Sequence, residues 1–290
     1  MERYITADRV ALCFSPRQAE SHKGTYGNLL TVCGSYGMAG AALLCARAAL
    51  RSGVGLLTAA IPSSVYPLMA GVLPEAVYLP LPQTADGRLS SAARPDLLQR
   101  AARADAIVIG CGLGKGEDTQ ELVRELLRRH TCPLVLDADG INAISAHTLV
   151  EETGAAPRIL TPHPLEFARL SGIPIETVQR DRTDVARRFA DTYGVILVLK
   201  GHHTVVAAPG RMPLINPTGN AGMATGGSGD VLAGIIGSLA AQGMDAYDAA
   251  VCGVYLHGAA GDAAAQRLSQ HAMLPSDMID ELCHLFLKLE

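Results

Sequence analysis

Basic residues are not in excess: Lys+Arg number 24 against 28 for Asp+Glu, giving a formal net charge of -4. Such a chain has no broad positive field to hold a polyanion by counterion release, so nucleic acid is excluded as an expected partner. No uninterrupted apolar run is long enough to span a bilayer. The opening Met1-Glu-Arg-Tyr-Ile-Thr-Ala-Asp8 also lacks the charged and then apolar order of an export signal. A cytoplasmic chain with no membrane partner is expected. The seven cysteines, at 13, 33, 45, 111, 132, 252 and 283, show no C-x-x-C spacing. An odd number cannot all pair within one chain, which fits a reducing compartment. No H-E-x-x-H spacing marks a zinc site, and the scattered cysteines read as small core residues. With no internal repeat, charge block or low-complexity linker, one domain over residues 1–290 is expected.

What is present is apolar: 49% of the chain is hydrophobic, enough for a large core. Short apolar runs bounded by Gly, Pro or Asp predict buried strands at Leu29 to Cys33, Leu56 to Ile61, Ala106 to Ile109, Leu134 to Leu136, Arg158 to Leu160 and Val195 to Leu199. Helical patterns lie between most of them, at Ala39 to Arg51, Thr119 to Arg129 and Ile175 to Tyr193. This alternation builds a mainly parallel sheet with helices on its faces, an α/β fold. From Val231 onward the pattern is helical alone: Val231 to Leu239, about Ala246 to Gln266, and a last helix opened by Pro275. The stretch Pro74 to Pro82 and the turn around Pro209 to Pro213 read as excursions from this scheme.

The segment from Asn216 to Asp230 carries the chemistry. Gly226, Gly227, Ser228 and Gly229 lead straight into an amphipathic helix, and glycines there let the backbone approach a ligand closely. The free N–H groups and dipole of the helix start favour an anion, which makes these four residues a candidate phosphate-cradling loop. No Lys-Ser or Lys-Thr follows the glycines, so the loop is not a Walker A motif. Asp230 repels phosphate, so two readings of it stand open: acceptor of a hydroxyl proton, or cap of the helix.

Thr218-Gly-Asn-Ala-Gly-Met-Ala-Thr-Gly-Gly-Ser-Gly-Asp230 resembles the signature of the hydrated-nicotinamide-nucleotide dehydratases, a family with the ribokinase-like fold. The resemblance extends in order through His22-Lys-Gly-Thr-Tyr-Gly27, Val135-Leu-Asp-Ala-Asp-Gly-Ile-Asn142, Leu160-Thr-Pro-His-Pro164 and Lys200-Gly-His-His-Thr204, nearly the whole chain. It implies an ADP-dependent lyase that restores NADH or NADPH from the hydrated forms. It implies Asp230 as the catalytic base. Substrate contacts would fall at Ala41, Gly112, His163 and Asp230, and nucleotide contacts at Lys200, Gly201, His202, His203, Thr204 and Gly229. Leu165 and Ala39 stand where the family commonly has glycine and proline.

On the residues alone other readings stay open. Lys200 to Thr204 could be a solvated surface hairpin, His163 a structural histidine, and the glycines of Val108-Ile-Gly-Cys-Gly-Leu-Gly114 an ordinary tight turn. Asp137 and Asp139 could hold Mg2+ through water, or Asp139 could cap a helix. No physical feature selects ADP over ATP; ADP follows from resemblance to the bacterial branch. A vitamin or sugar kinase of the same fold is the alternative function, and a silent nucleotide sensor a third. The resemblance starts near His22, so an epimerase acting on the same substrate is expected as a separate protein. Family members commonly associate, so a homo-oligomer is expected.

Overall fold

Successive side chains point to opposite faces of a strand, so a run apolar at every position needs cover on both sides. The computed structural model, which describes residues 3–151 and 156–289, meets that need with one ten-stranded sheet between two layers of helices. Met1, Glu2, residues 152–155 and Glu290 lie outside the described residues. The strands are β1 (Arg3–Tyr4), β2 (Asn28–Val32), β3 (Leu56–Pro62), β4 (Val77–Leu81), β5 (Ala106–Ile109), β6 (Leu134–Leu136), β7 (Arg158–Leu160), β8 (Ile196–Leu199), β9 (Val205–Ala207) and β10 (Leu214–Ile215). They run in the order β1-β10-β9-β8-β7-β6-β5-β2-β3-β4. From β8 to β4 every pairing is parallel; β9 is antiparallel to both β8 and β10.

The period of two divides the core. Leu29, Val108, Val135, Ile159 and Val198 face one side, where Ala39–Arg51, Ser228–Ala241, Ala246–Leu268 and Pro275–Phe286 cover them. Leu30, Ile107, Leu134, Leu160 and Leu197 face the other, under Arg94–Ala101, Glu117–Arg129, Pro164–Ser171 and Arg182–Tyr193. Fully burying one such side chain contributes about 1.5–3 kcal/mol, which is why these strands are apolar at most positions, with Thr31 of β2 and Arg158 at the start of β7 as buried exceptions.

Three expectations change. The pattern from Ile175 to Tyr193 is two helices, Ile175–Arg180 and Arg182–Tyr193, because the Asp181 side chain accepts the Asp184 N–H and restarts the helix there. Within Pro74 to Pro82 the chain returns to the sheet as β4, where Pro80 is tolerated because the strand is at an edge. The helix after the glycine loop begins at Ser228, three residues before its apolar pattern does. The turn at Pro209 to Pro213 does leave the scheme, joining β9 to β10.

Parallel pairing of β2, β5, β6, β7 and β8 sets their carboxyl ends in a row. Cys33, Asp137, Thr161 and Lys200 directly follow their strands, and Cys111 stands two residues beyond β5. Open α/β sheets bind ligands along that edge.

Candidate active site

Asp137 leaves β6 fully buried, a placement an isolated carboxylate could not sustain. Two neighbours compensate it: the Lys200 ammonium at 2.7 Å and the Thr161 hydroxyl at 2.7 Å both donate to Oδ1. Burial works to lower the pKa of Lys200, but the Asp137 charge and hydrogen bond, with help from Glu166, outweigh it and raise the net value. Lys200 is therefore a fixed cation near neutral pH. A side-chain carbon added at Gly229 would sit 3.2 Å from Lys Nζ, so this pair also meets the start of the helix Ser228–Ala241.

That helix starts from Gly227, whose φ of +97° is open to glycine and strained for other residues. Asp230 stands in its first turn, with its carboxylate within 4.8 Å of both the Cys111 sulfur and an Asp137 oxygen. Burial, then the charges of Asp137 and Cys33, push its pKa up to about 7 against the opposing pull of Cys111 and Lys200. No side-chain cap closes this helix. Asp230 is thus free of the capping role and is suited to exchange a proton near neutral pH.

Beside the helix start lies a cavity of about 730 Å³. Lys200, Gly201, His202, His203 and Thr204 line one wall, His163 another, and Gly226 and Ser228 the floor, with Thr218 to Ala221 and Met223 to Thr225. Nine of the residues expected at the site, or its neighbouring turn, therefore converge as follows: the five of the β8–β9 loop and His163 share one cavity with Gly226 and Ser228, while Gly229 touches its Lys200 side. Gly227 faces away, toward Leu44 and Pro275. Ala41 and Gly112 are not part of this cavity. They pack on one another where the helix Ala39–Arg51 meets the β5 exit: at Gly112, φ +63°, an added carbon would lie 2.8 Å from Ala41 Cβ. Asp230 stands two residues after Ser228 and beside Cys111, which directly precedes Gly112.

Of the two roles left open for His163, the structure shows the structural one. Its Nδ1 accepts the N–H groups of Leu165 (3.1 Å) and Glu166 (3.2 Å), capping Pro164–Ser171, while Glu166 accepts the His163 N–H at 2.8 Å. The ring still borders the cavity, and burial lowers its pKa despite the Glu166 charge, so it is neutral at pH 7. Leu165 is exposed and forms no wall of the cavity, so its bulk is harmless there. Ala39 begins its helix where a proline would.

Two positioning groups had no sequence signal strong enough to find them. Arg182, at the start of Arg182–Tyr193, reaches across to the β8–β9 loop and donates to the carbonyls of Leu199 (2.7 Å), Lys200 (3.0 Å) and His202 (2.5 Å). Nothing local marks it among its neighbouring arginines. His257, buried in the Ala-rich helix Ala246–Leu268, donates from Nε2 to the Ser228 carbonyl at 2.8 Å. Burial pushes its pKa down to about 4, which keeps the ring neutral and the bond in place. A single His on an otherwise small, apolar helix face was the available clue. Arg182→Ala is expected to raise KM for the nucleotide about tenfold with a smaller change in kcat, since one charged hydrogen bond contributes about 1.5–3 kcal/mol. Steady-state kinetics at varied nucleotide checks this, and an unchanged KM would show that the loop keeps its shape unaided.

The carboxylates proposed for Mg2+ are already occupied. Asp137 is committed to Lys200 and Thr161, and Asp139 accepts the Gly114 N–H at 2.8 Å and the Asn142 amide at 3.2 Å. Asp139 sits inside its short helix and does not cap it. This donor set does not fit a direct Mg2+ cage.

The profile of the NAD(P)H-hydrate dehydratases matches residues 29–284. The chain belongs to that family. It is 45% identical over 262 residues to the ADP-dependent (S)-NAD(P)H-hydrate dehydratase of Neisseria meningitidis serogroup B, covering 89% of this chain and 83% of the relative. A bifunctional NAD(P)H-hydrate repair enzyme of Moorella thermoacetica is 47% identical over 99% of this chain, which spans 54% of that longer protein. Among solved structures, the ADP/ATP-dependent NAD(P)H-hydrate dehydratase of Bacillus subtilis, co-crystallised with ATP/Mg2+, superposes with a TM-score of 0.84 at 37% identity, covering 100% of this chain and 99% of the other. A ribokinase-like superfamily protein of Enterococcus faecalis superposes at 0.87 with 28% identity over 99% of this chain and 96% of the other. The fold is ribokinase-like, as the family resemblance implied.

Proposed function

We propose that this chain restores NADH and NADPH from their hydrated forms, using ADP and releasing AMP and phosphate. The observation that carries the reading is Asp230: a carboxyl group with its pKa near neutrality, in the first turn of a helix whose glycine-rich start opens on a nucleotide-sized cavity. ADP would lie in the cavity along Lys200 to Thr204, with Gly229 near its phosphates and the N–H groups of 226–229 facing the transferred group. The hydrated ring would lie toward Ala41 and Gly112, with His163 at the border between the two ligands.

Asp230 takes the proton of the ring hydroxyl, and that oxygen bonds to the terminal phosphorus of ADP as the bond to AMP breaks. Phosphate then leaves with the carbon–oxygen electron pair while the ring nitrogen's lone pair assists, and the adjacent ring carbon gives up a proton to restore the double bond. Phosphorylation changes the leaving group from one whose conjugate acid has a pKa of about 15.7 to one near about 6. That difference is the reason for spending a nucleotide on a dehydration.

Any Mg2+ would enter on the nucleotide's phosphates and keep much of its water, because Asp137 and Asp139 are taken. The ten strands of a single sheet, spanning Arg3 to Ile215, support one domain. Seven free cysteines support a reducing cytoplasm, and no helix among the described residues is long and apolar enough to cross a membrane. Relatives named as bifunctional repair enzymes support a working link to a second repair activity, which we assign to an epimerase for the same substrate. We also assign a homo-oligomeric state, measurable by light scattering.

The test is incubation with hydrated NADH plus ADP, ATP or neither, following the return of reduced-nicotinamide absorbance. One AMP and one phosphate per restored nicotinamide are expected with ADP. A stable phosphorylated product without restored absorbance would replace the dehydratase by a small-molecule kinase.

A further inference from the structure

Three cysteines that are 12 and 66 residues apart in the chain meet in the core: Cys33, Cys45 and Cys111. The fold explains the meeting. Cys33 follows β2 and Cys111 follows β5, its parallel neighbour, with the Gly34 N–H donating to the Cys111 carbonyl at 2.8 Å. The helix Ala39–Arg51 then folds back over this edge and brings Cys45 in from above. All three are fully buried and free, and their sulfurs lie within 4.8 Å of one another. None of the three lines the nucleotide cavity.

We propose that Cys33, Cys45 and Cys111 form a three-thiolate binding site for a soft d10 cation, with Cu(I) as its ligand. A metal at the centre of a sulfur triangle with bonds of about 2.3 Å needs sulfurs about 4 Å apart, which falls inside the observed spread. Thiolates are soft donors and select Cu(I), zinc or iron–sulfur clusters over Mg2+ or Ca2+. Zinc in a structural site wants four ligands, and no fourth donor joins this trio within 4.8 Å of every sulfur among the described residues. Three ligands without a fourth suit Cu(I). On binding, each of the three that still carries its proton loses it as three Cu–S bonds form; the copper enters and stays as Cu(I), so no oxidant or reductant is consumed.

The site does not rest on the dehydratase reading, and its test is a binding measurement. Fully reduced protein is titrated without oxygen against Cu(I) held by a coloured competing chelator. The wild-type chain is expected to withdraw one Cu(I), and X-ray absorption should find three sulfur neighbours. Cys45→Ala should weaken uptake at least about 100-fold, the upper range for loss of a group that merely orients a ligand. Cys33→Ala should do the same, and guards against a folding defect in the first variant; circular dichroism reports on both. Cys13 and Cys252 touch in another part of the core, so Cys252→Ala is the control and should bind normally. No withdrawal by the wild-type chain, a two-sulfur spectrum, unchanged uptake in both cluster variants, or loss in Cys252→Ala would each overturn the site.

Discussion

Asp230→Asn is expected to lower kcat by about 10²–10⁴-fold, the usual span for a positioned proton acceptor, while ADP still binds. The same change should make the chain more stable at alkaline pH. An unfolded aspartate titrates near about 3.9, whereas burial and the Asp137 and Cys33 charges hold folded Asp230 at about 7. Below about pH 4 both states keep the proton and there is no penalty. Between the two values the unfolded chain has released its proton and the folded chain has not, so stability falls with rising pH by up to about 1.36 kcal/mol per unit; above about 7 the loss stops growing. Asn has no proton to lose, so its advantage is fully present above pH 7 and on the order of a few kcal/mol at most. Urea melts at pH 5 and pH 8 compare the two proteins. In the unaltered chain kcat/KM should rise as pH passes through about 7, where the base becomes charged. Normal turnover by the variant would remove Asp230 from the chemistry, and a pH-independent stability difference would remove its shifted pKa.

Lys200→Met should be the most destabilising change at the site. It leaves Asp137, 1% exposed, with the Thr161 hydroxyl as its one remaining close donor on Oδ1. Breaking a buried ion pair by deleting one partner costs about 3–5 kcal/mol, because the survivor remains charged in a poor solvent. Replacing both members removes that charge as well. The double variant Asp137→Asn, Lys200→Met should therefore recover much of the loss, giving a strongly non-additive cycle in chemical denaturation. Simple additivity would mean that Asp137 finds water or another cation when Lys200 is gone. Turnover should stay low in both variants, since Lys200 also borders the cavity beside the glycine loop and lowers the pKa of Asp230.

Local pattern carried a large part of the architecture. The strands Ala106–Ile109, Leu134–Leu136 and Arg158–Leu160 and the helix Ala39–Arg51 begin and end where apolar periodicity and flanking Gly, Pro or Asp place them. Each is bounded by a residue whose backbone preference acts over a few positions, and that range is what a linear reading can sense. Two-residue strands and one edge strand escaped the same reading: β1 and β10 have two residues each, and β4, at the sheet's edge, contains a proline. These acquire strand geometry from the neighbour they pair with, a contact that composition does not encode locally.

The glycine loop, Asp230 and the family are legible in the chain itself, because close backbone approach to a phosphate demands glycine and leaves a contiguous mark. Tertiary structure alone decided that Asp137, Thr161 and Lys200 share one hydrogen-bonded centre, that Arg182 grips the β8–β9 loop, and that three separated cysteines touch. Strand order and helix packing create those meetings across tens of residues. Side chains brought together by the sheet's pairing have no reason to be near one another in sequence, so their chemistry becomes visible only once the strands are in place.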